Sequence, residues 1–417
     1  MKTITALDIG TSKVVALVGE GDSFGDIHVV GLGEAPSKGI DRGYITRLDL
    51  AVSSVVSALK EAQEMSGTKI KDVVIGVSGP TLRSQNEKDT ISISPQPVEI
   101  EHGHIDRIIE RAIMKAREDS YEVVSAIPRR FVLDEQEGIM DPVGLLGSKL
   151  TAEVHIIKAG VSLLRNMERV VQNAGMGIVG KYVSPLASAE AVLTQEEIEE
   201  GVLLIDMGAG LTDFVVFTEG SVLLTGTVSM GGMSITKDIA HFMKINTEQA
   251  ERVKVENGYA LADLVNEAER IKIKPRGEEK EITISRKQLS EVIQIRLEEI
   301  MEKIAEAISA QGVSLDALNA GVVITGGGAK LAGLREFLER YFDLPVRIGY
   351  PSGVVGLREK VQDPAYATAV GLLRLAYRDV SMGQLKENKL MSDRKEDNSF
   401  RLSSLIEKVK SFFRDIL

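Results

Sequence analysis

Hydrophobic residues at the start of the chain form short runs and one longer periodic stretch. Ile4–Leu7, Val14–Val18 and Ile27–Leu32 have the length of strands and are joined by glycine-containing turns. Asp49–Met65 then carries apolar residues at the spacing of an amphipathic helix, and Val73–Val77 is a further apolar run. The pattern therefore predicts three strands, a helix and a fourth strand.

A similar order of hydrophobic runs begins again near the middle of the chain. Val202–Ile205, Phe214–Phe217 and Val222–Thr227 predict three strands, and Ile235–Lys244 predicts a helix. In both units an aspartate and a glycine turn follow the first strand, as "ALDIGTSK" and as "LLIDMGAGLTDFVVF". A single Asp-Gly turn is common in hairpins and means little. Two copies, each opening a strand triplet, favour an internal duplication and two related lobes.

Other segments interrupt the duplicated pattern. About eighty residues separate Gly79 from the helix predicted at Leu163–Ala174, which is too long for a loop and enough for a small inserted domain. Met233–Leu318 holds helical stretches around a hairpin and predicts a second subdomain. Ala365–Ala376 predicts a closing helix, and the polar residues after it, 379–398, predict a disordered linker.

The composition excludes several classes of protein. A net charge of −11 argues against binding to nucleic acid, which usually requires a basic face. The absence of cysteine rules out disulfides and thiolate metal sites, and it fits a cytosolic protein. We expect neither a signal peptide nor a spanning helix, because no apolar run approaches the ~20 residues that cross a bilayer.

The two aspartate–glycine turns have the chemistry that a polyphosphate requires. Glycine lets backbone N–H groups approach phosphate oxygens closely, and nearby hydroxyls and a cation add further contacts. The segment "TGGGAK" offers a third close approach, suited to a base or a ribose. The candidate residues of these three segments are Asp8, Gly10, Thr11, Ser12, Lys13, Asp206, Gly208, Gly210, Thr212, Asp213, Gly326, Gly327 and Gly328.

Two aspartates and one helix complete the predicted nucleotide site. Bare carboxylates at Asp8 and Asp206 would repel phosphate, so we predict that they hold Mg²⁺ through its waters. Glu251 and Lys254 lie three residues apart on one helix face, where they could bind a ribose and a base edge. The alternative for Glu251 and Lys254 is a solvated ion pair.

Two phosphate turns followed by a glycine-rich motif resemble the actin-like ATPase superfamily, which includes actins, Hsp70 chaperones and sugar kinases. The resemblance covers residues 1–378. It implies an α/β, actin-like (ribonuclease H-like) duplicated fold, with two lobes around a nucleotide cleft that binds ATP and Mg²⁺. Ala250, Glu251 and Lys254 match the "AExxK" nucleotide-contacting stretch of bacterial members.

The position of the insertion indicates which family within the superfamily the chain resembles. Actin and MreB carry a subdomain between the third strand and the first helix, whereas here the insertion follows the next strand. That arrangement is similar to subdomain 1C of the FtsA family of bacterial division proteins, as are the stretches "GIDRGYI", "SPLASAEAVLTQEEIEEGVLLIDMGAG" and "GVVITGGGAKLAGL". The implied divisions are 1A (1–82, completed by 161–186 and 360–378), inserted 1C (83–160), 2A (187–231, completed by 318–359), 2B (232–317), a linker (379–399) and a terminal helix (400–417).

The end of the chain, "FRLSSLIEKVKSFFRDIL", has one apolar stripe on a mildly basic helix. This pattern predicts an amphipathic anchor at a membrane surface, and the alternative is a helix that docks on its own core or on a partner. FtsA proteins end in such a helix, whereas the PilM family, which shares the insertion, does not rely on one. The stripe consists of Leu402, Leu405, Ile406, Val409, Phe412, Phe413, Ile416 and Leu417.

The resemblance to the FtsA family also implies partners. Arg296 and Glu299, in "QIRLEEIMEKI", match positions that bind the C-terminal peptide of the tubulin-like FtsZ, although an Arg–Glu pair within the helix is an alternative. Family members form actin-like filaments, with contacts through 1C, and recruit other division proteins. They lie on the cytoplasmic face of the cell membrane at the septum, where they tether FtsZ filaments.

One position departs from relatives that hydrolyse ATP. They carry Glu or Gln near the "PLASA" helix or in the first lobe, and Ser184 at the start of this helix is a poor base. We therefore expect at most slow hydrolysis and assign no catalytic residue. The alternatives to a division protein are a PilM-like scaffold for pilus assembly and a small-molecule kinase of the same superfamily.

Overall fold

The computed structural model describes residues 2–22, 25–277 and 280–381. The first half of the chain comprises β1 (Lys2–Ile9), β2 (Lys13–Gly21), β3 (Ile27–Pro36), β4 (Ile40–Asp41), β5 (Tyr44–Ile45), α1 (Leu48–Ser66), β6 (Asp72–Val77), β7 (Arg83–Ser92), β8 (Val98–Glu99), α2 (His102–Lys115), β9 (Tyr121–Leu133), β10 (Gln136–Ile139), β11 (Leu146–Gly147), β12 (Lys149–Gly160), α3 (Val161–Asn173), β13 (Gly177–Val183), α4 (Ser184–Val192) and α5 (Gln195–Glu200). The remainder comprises β14 (Val202–Met207), β15 (Thr212–Thr218), β16 (Ser221–Val228), α6 (Gly232–Phe242), α7 (Thr247–Asn257), β17 (Arg270–Ile273), β18 (Ile282–Ser285), α8 (Arg286–Ala310), β19 (Gly321–Thr325), α9 (Leu334–Phe342), β20 (Val346–Ile348), α10 (Arg358–Val361) and α11 (Ala367–Ser381).

Two five-stranded sheets have the same topology. The first has the order β13-β6-β1-β2-β3 and the second the order β20-β19-β14-β15-β16. In each sheet the first three strands of the unit are antiparallel, and the two later strands add in parallel. This shared order confirms the predicted duplicated α/β fold.

The central strands of both sheets are buried because helices cover both faces. The middle of β1, Thr5–Leu7, is buried, and β14 is apolar except for Asp206, as expected for strands without a solvent-facing side. Helices α4 and α11 pack together between the sheets, in a core that includes Val15 and Leu204. They approach so closely that a Cβ on Gly371 would overlap the carbonyl oxygen of Ala187. The lobes are thus joined by a continuous core beside the turns.

The insertion forms a four-stranded antiparallel sheet, β10-β9-β12-β7, with α2 packed on it around Phe131 and Leu150. The chain enters it after β6 and leaves it into α3. Within the insertion, the sequence predicts a helix at Ile105–Arg117 and strands near Ser125–Leu133 and Ala152–Ile157. These segments correspond to α2, β9 and β12. Strand β7 was not predicted, because "RSQNEKDTIS" is almost wholly polar and lies at the edge of the sheet.

The predicted linker starts too early in the chain, because the last helix is longer than predicted. Helix α11 continues through Ser381, so residues 379–381 are helical. Asp379 is buried, and it accepts a hydrogen bond from the Tyr182 hydroxyl at 2.7 Å. The rest of the predicted linker and the predicted terminal helix, residues 400–417, lie outside the described residues. Within the described ranges, no helix combines the length and apolarity needed to cross a membrane.

Candidate functional site

The two aspartate–glycine turns fold in the same way, at the first hairpin of each sheet. In the first turn (residues 8–13) the Gly10 N–H donates to the Lys13 carbonyl at 3.1 Å. In the second turn (residues 206–213) the Gly208 N–H donates to the Leu211 carbonyl at 2.9 Å. A Cβ on Gly10 would lie only 2.8 Å from the Lys13 carbonyl oxygen, so this tight turn requires glycine.

The first and second turns face each other across a cavity of about 480 Å³, called the cleft below. A Cβ on Gly210 would lie 2.5 Å from Thr11 Oγ1, which shows how closely the turns approach. The third glycine segment joins them at Gly326, which has a φ of 82° and on which a Cβ would clash with Asp206. The volume suits a ligand of nucleotide size.

The structure brings nearly all predicted nucleotide-site residues together at this cleft. Thr212 is the exception, because it is fully buried and its hydroxyl donates to the Met230 carbonyl at 2.9 Å, where it supports the second turn. The predicted residues that line the cleft are Asp8, Gly10, Thr11, Ser12, Lys13, Asp206, Gly208, Gly210, Asp213, Glu251, Lys254, Gly326, Gly327 and Gly328.

Hydroxyl groups from distant segments hold the carboxylates of the second turn, and two of them, Thr368 and Ser78, come from the first lobe. Asp206 accepts hydrogen bonds from Ser188 on α4 and, at 3.1 Å, from Thr368 on α11. Asp213 accepts one from Ser78 at 2.7 Å. These three hydroxyls were not predicted, since single Ser and Thr residues far from the turns carry no local signal.

Burial raises the pKa values of three carboxylates in the cleft above the ordinary value for aspartate. It raises the pKa of Asp8 to about 7, with the Asp206 charge adding to the rise and Lys13 opposing it. Burial also raises the pKa of Asp213 to about 7, against hydrogen bonds from Thr227 and Ser78. The pKa of Asp206 is raised by burial and opposed by its two hydroxyl donors. These groups are therefore stabilised in charged form by a nearby cation.

The carboxylates of the cleft suit a cation that is bound through its water molecules better than a cation that they contact directly. In the part of the chain that the structure describes, no group of three or more His, Cys, Asp or Glu side chains is arranged to hold a metal. Asp8 and Asp206 instead approach the cleft from opposite lobes. Mg²⁺ keeps several of its waters in proteins and needs only one or two carboxylates, so this pair suits it.

Two lysines of the cleft are anchored by neighbouring side chains. Lys13 Nζ lies 2.7 Å from Glu34 and 3.7 Å from the centre of the Tyr366 ring. Lys254 Nζ lies 2.8 Å from Glu251 and also donates to the Gly232 carbonyl at 3.0 Å. The Glu251–Lys254 pair is therefore present, but the lysine is mostly buried and fixes α7 to the start of α6.

Arg296 and Glu299 lie on α8, away from the residues that line the cleft. Arg296 forms two bonds with Asp238 of α6, at 2.6 and 3.0 Å, and a third with Glu299. The intrahelical pair that the sequence left as an alternative is thus formed. Asp238 was not predicted, because nothing in the sequence places α6 against α8. The eight apolar positions of the predicted terminal helix lie outside the described residues.

Solved structures share this architecture. The PilM–PilN type IV pilus biogenesis complex matches with a TM-score of 0.63 at 17% identity, over 89% of this chain and 98% of that chain. MreB5 of Spiroplasma citri bound to AMPPNP matches with a TM-score of 0.56 at 14% identity, over 92% and 99%. Such identities concern the fold alone. Two duplicated lobes that place paired glycine turns around one cleft define an actin-like protein.

Sequence comparisons specify the family within that class. Residues 203–371 match the model of cell division protein FtsA, and residues 79–158 match the SHS2 domain inserted in FtsA. FtsA of Pseudomonas aeruginosa is 37% identical over 92% of this chain and 91% of that protein. FtsA of Escherichia coli is 34% identical over 89% and 90%. The chain belongs to the FtsA family of cell-division proteins.

Proposed function

We propose that this chain binds ATP with Mg²⁺, polymerises, and tethers FtsZ filaments to the cell membrane at the division septum. The observation that carries the proposal is the cleft, where paired turns from duplicated lobes face each other. Membership of the FtsA family supplies the cellular setting. The membrane and FtsZ contacts are assigned to residues outside the cleft.

The cleft provides separate surfaces for the parts of a nucleotide. Backbone N–H groups, hydroxyls and one cation suit phosphate oxygens, while the glycine segment after β19 leaves room for a flat base. Contacts to the phosphates are assigned to Gly10, Thr11, Ser12, Lys13, Gly208, Gly210 and Asp213. Contacts to the nucleoside are assigned to Glu251, Lys254, Gly326, Gly327 and Gly328.

Asp8 and Asp206 would hold Mg²⁺ through its waters. When bound, the cation supplies positive charge between the carboxylates and the phosphates. Ser188 and Thr368 keep Asp206 in place by hydrogen bonds. Since Thr368 belongs to the first lobe, the position of this carboxylate depends on where that lobe lies. Closure of the lobes and binding of the nucleotide are therefore linked in this proposal.

Hydrolysis is proposed to be slow. Ser184 is the first residue of α4 and lines the cleft, and hydrolysing relatives carry Glu or Gln near this helix or in the first lobe. A serine hydroxyl neither attracts a proton strongly nor carries charge, so it orients an attacking water poorly. The nucleotide then serves mainly to hold the lobes together.

The proposed FtsZ surface centres on Arg296. Its guanidinium is partly exposed and lies between Asp238 and Glu299. A carboxylate of an incoming acidic peptide would share this guanidinium, which has enough donors for more than two partners. Arg296→Ala is expected to weaken FtsZ-peptide binding, and Arg340→Ala, another exposed arginine paired with an aspartate, is the matched control.

The proposed membrane contact is the apolar stripe of residues 402–417. A single short amphipathic helix binds a membrane weakly, because the cost of ordering it offsets much of the apolar burial. Several such helices on one filament bind far more tightly through effective concentration. Self-association into filaments, with contacts from the inserted subdomain, and recruitment of other division proteins complete the proposed role.

Liposome co-sedimentation tests the membrane proposal. Phe412→Glu with Phe413→Glu places two charges where acyl chains should sit, and a charge there costs more than a phenylalanine gains. The double variant is expected to leave anionic vesicles while ATP binding is unchanged. Ser404→Glu with Ser411→Glu, on the polar face of the same helix, is the matched control and should still sediment. Sedimentation of the phenylalanine variant would contradict the proposal.

A small-molecule kinase is disfavoured by the state of Asp213. A kinase needs a carboxylate free to accept a proton from its substrate. Both Ser78 and Thr227 donate to the same oxygen of Asp213, so this carboxylate is already used in holding the turn. Fast phosphoryl transfer to any member of a panel of sugars and acids would overturn the scaffold proposal.

A further inference from the structure

The inserted subdomain contacts the second lobe through strand β7, which lies beside β16, the edge strand of the second sheet. The contact is made by side chains. Ser84 Oγ accepts from the Thr225 N–H at 3.0 Å and donates to the Thr225 carbonyl at 2.8 Å. The Asn86 amide donates to the Leu223 carbonyl at 3.0 Å. These side chains thus satisfy backbone groups that an edge strand otherwise leaves to water.

A fully buried histidine completes the contact. His155 of β12 has Nδ1 2.7 Å from Asn86 Oδ1 and Nε2 3.0 Å from Thr225 Oγ1. Since the Asn86 nitrogen donates to a carbonyl, its oxygen faces His155 and can only accept. Nδ1 therefore carries the proton, and Nε2 accepts from the Thr225 hydroxyl. Burial, with the Arg129 charge adding, lowers the pKa of His155 to about 3, so the ring is neutral.

Strand β16 reaches the cleft two residues beyond Thr225. Thr227 Oγ1 donates to Asp213 at 2.6 Å, and Asp213 also accepts from Ser78, which follows β6 just before the insertion. Strand β16 is therefore attached at Thr225 to the insertion and at Thr227 to the second turn. A shift of β16 relative to either neighbour would leave buried polar groups of this network unpaired, which is costly in the interior of a protein.

We infer that the contact of Ser84, Asn86 and His155 with β16, called the β7–β16 contact below, couples the orientation of the inserted subdomain to occupancy of the cleft. A ligand that draws the two turns together moves β16 relative to the first lobe, and the contact transmits this movement to the insertion. By linkage, a partner that holds the insertion changes the affinity of the cleft by the same factor. The inference rests on the proposed binding of ATP in the cleft.

Thr225→Val tests the coupling with little change of shape. It removes the Thr225 hydroxyl, which donates to His155, and leaves Nε2 of His155 buried without a donor. Because β16 then loses part of its attachment to the insertion and Thr227 on this strand supports the second turn, affinity for Mg-ATP should fall about fivefold, a typical coupling. Thr151→Val is the matched control, since this buried threonine bonds Thr90 within the insertion and is expected to leave affinity unchanged. A fluorescent ATP analogue gives the affinities.

Ser84→Ala provides a milder variant in case Thr225→Val fails to fold. It deletes both side-chain bonds to Thr225 and leaves β16 with unpaired edge groups that water can reach. Its affinity for Mg-ATP should fall in the same direction. Circular dichroism of each variant establishes that it is folded before its affinity is compared.

Spin-label distances test the contact without using affinity. The chain has no cysteine, so Glu137→Cys on the insertion and Glu336→Cys on the second lobe, both exposed, can be labelled as a unique pair. We expect one narrow distance distribution that shifts on addition of Mg-ATP, and a broad distribution in Thr225→Val and Ser84→Ala. Unchanged distances and affinities in both variants, while Asp206→Ala still weakens binding, would overturn the coupling alone. A failure of the parent protein to bind ATP would overturn the proposed function.

Discussion

The first and second turns share a backbone geometry, but their side chains are supported differently. Asp8 of the first turn is opposed by the cation Lys13, which is itself held by Glu34 of the same lobe. Asp206 and Asp213 of the second turn are held in part by hydroxyls of the first lobe, from Thr368 and Ser78. The first turn is therefore complete within its own lobe, whereas the second depends on where the other lobe lies.

This difference follows from the position of each turn in the duplicated fold. The inserted subdomain follows β6 in the first lobe, and α11 returns to the first lobe after the second is complete. Both connections bring hydroxyls to the second turn, through Ser78 and Thr368. Duplication gives two equal turns, and these connections make one of them sensitive to the closure of the lobes. The second turn should therefore respond most strongly to substitution.

Asp206→Ala should have the largest effect on nucleotide binding. It removes a proposed metal-holding carboxylate and leaves Ser188 and Thr368 without their acceptor. Hydrogen bonds to charged groups contribute about 1.5–3 kcal/mol, so affinity for Mg-ATP should fall roughly tenfold to a hundredfold. Isothermal titration measures the change. Unchanged affinity in the variant would show that the cleft is not the nucleotide site.

Lys13→Met should have a smaller effect, because Lys13 is already held by Glu34 and Tyr366. We expect a loss of ~1 kcal/mol, about fivefold in affinity, when the first turn loses its cation. Lys60→Met is the control, since Lys60 is exposed and paired only within α1. If Lys13→Met weakened binding more than Asp206→Ala, the difference drawn between the turns would be wrong.

The two turns should also make binding depend on pH. Asp8 and Asp213 have pKa values raised to about 7, above the value of about 3.9 expected in an unfolded chain. Between these values the folded protein binds more protons, so the two groups make the free energy of unfolding fall as pH rises. A bound cation favours the charged carboxylates. Affinity for Mg-ATP should therefore rise as pH passes through 7.

Titrations at pH 6 and pH 8 measure this dependence, and we expect affinity to be roughly tenfold higher at pH 8. Asp213→Asn removes one of the two titrating groups and should make the dependence shallower. A dependence that Asp213→Asn leaves unaltered would assign the titration to Asp8 alone. An affinity that falls from pH 6 to pH 8 would contradict the assignment of Asp8 to cation binding.

The smallest effect on binding is expected at Thr212. Its hydroxyl faces the Met230 carbonyl, so Thr212→Val should lower stability by ~1 kcal/mol and leave affinity for Mg-ATP unchanged. Thr11→Val, at a residue that lines the cleft, should do the opposite and weaken binding about twofold to fivefold. Thermal unfolding and titration of both variants separate the two roles. Weaker binding in Thr212→Val than in Thr11→Val would reverse the assignment.

Local patterns were sufficient to predict the duplicated strands and the two turns. The apolar runs that form β1 and β14 end in an aspartate and a glycine turn, and both features are visible within a few residues. Strand β7 was missed because its polar edge position gives no alternation of apolar residues. The start of the linker was placed too early, since Asp379 reads as a polar residue until its partner Tyr182 is known.

The support of the second turn could not be predicted for a different reason. Ser78, Ser188 and Thr368 are ordinary hydroxyl residues in sequence, and each becomes significant only when the fold brings it to an aspartate of the second turn. The same holds for Asp238 beside Arg296. Contacts between distant segments leave no periodic or spacing signal, whereas glycine turns do.

A crystal structure of the full chain with Mg²⁺ and a non-hydrolysable ATP analogue tests the central claim most directly. The account predicts phosphates between the first and second turns, Mg²⁺ linked through water to Asp8 and Asp206, and the base against Gly326–Gly328. An analogue bound elsewhere, or one whose phosphates contact only one of the two turns, would contradict it.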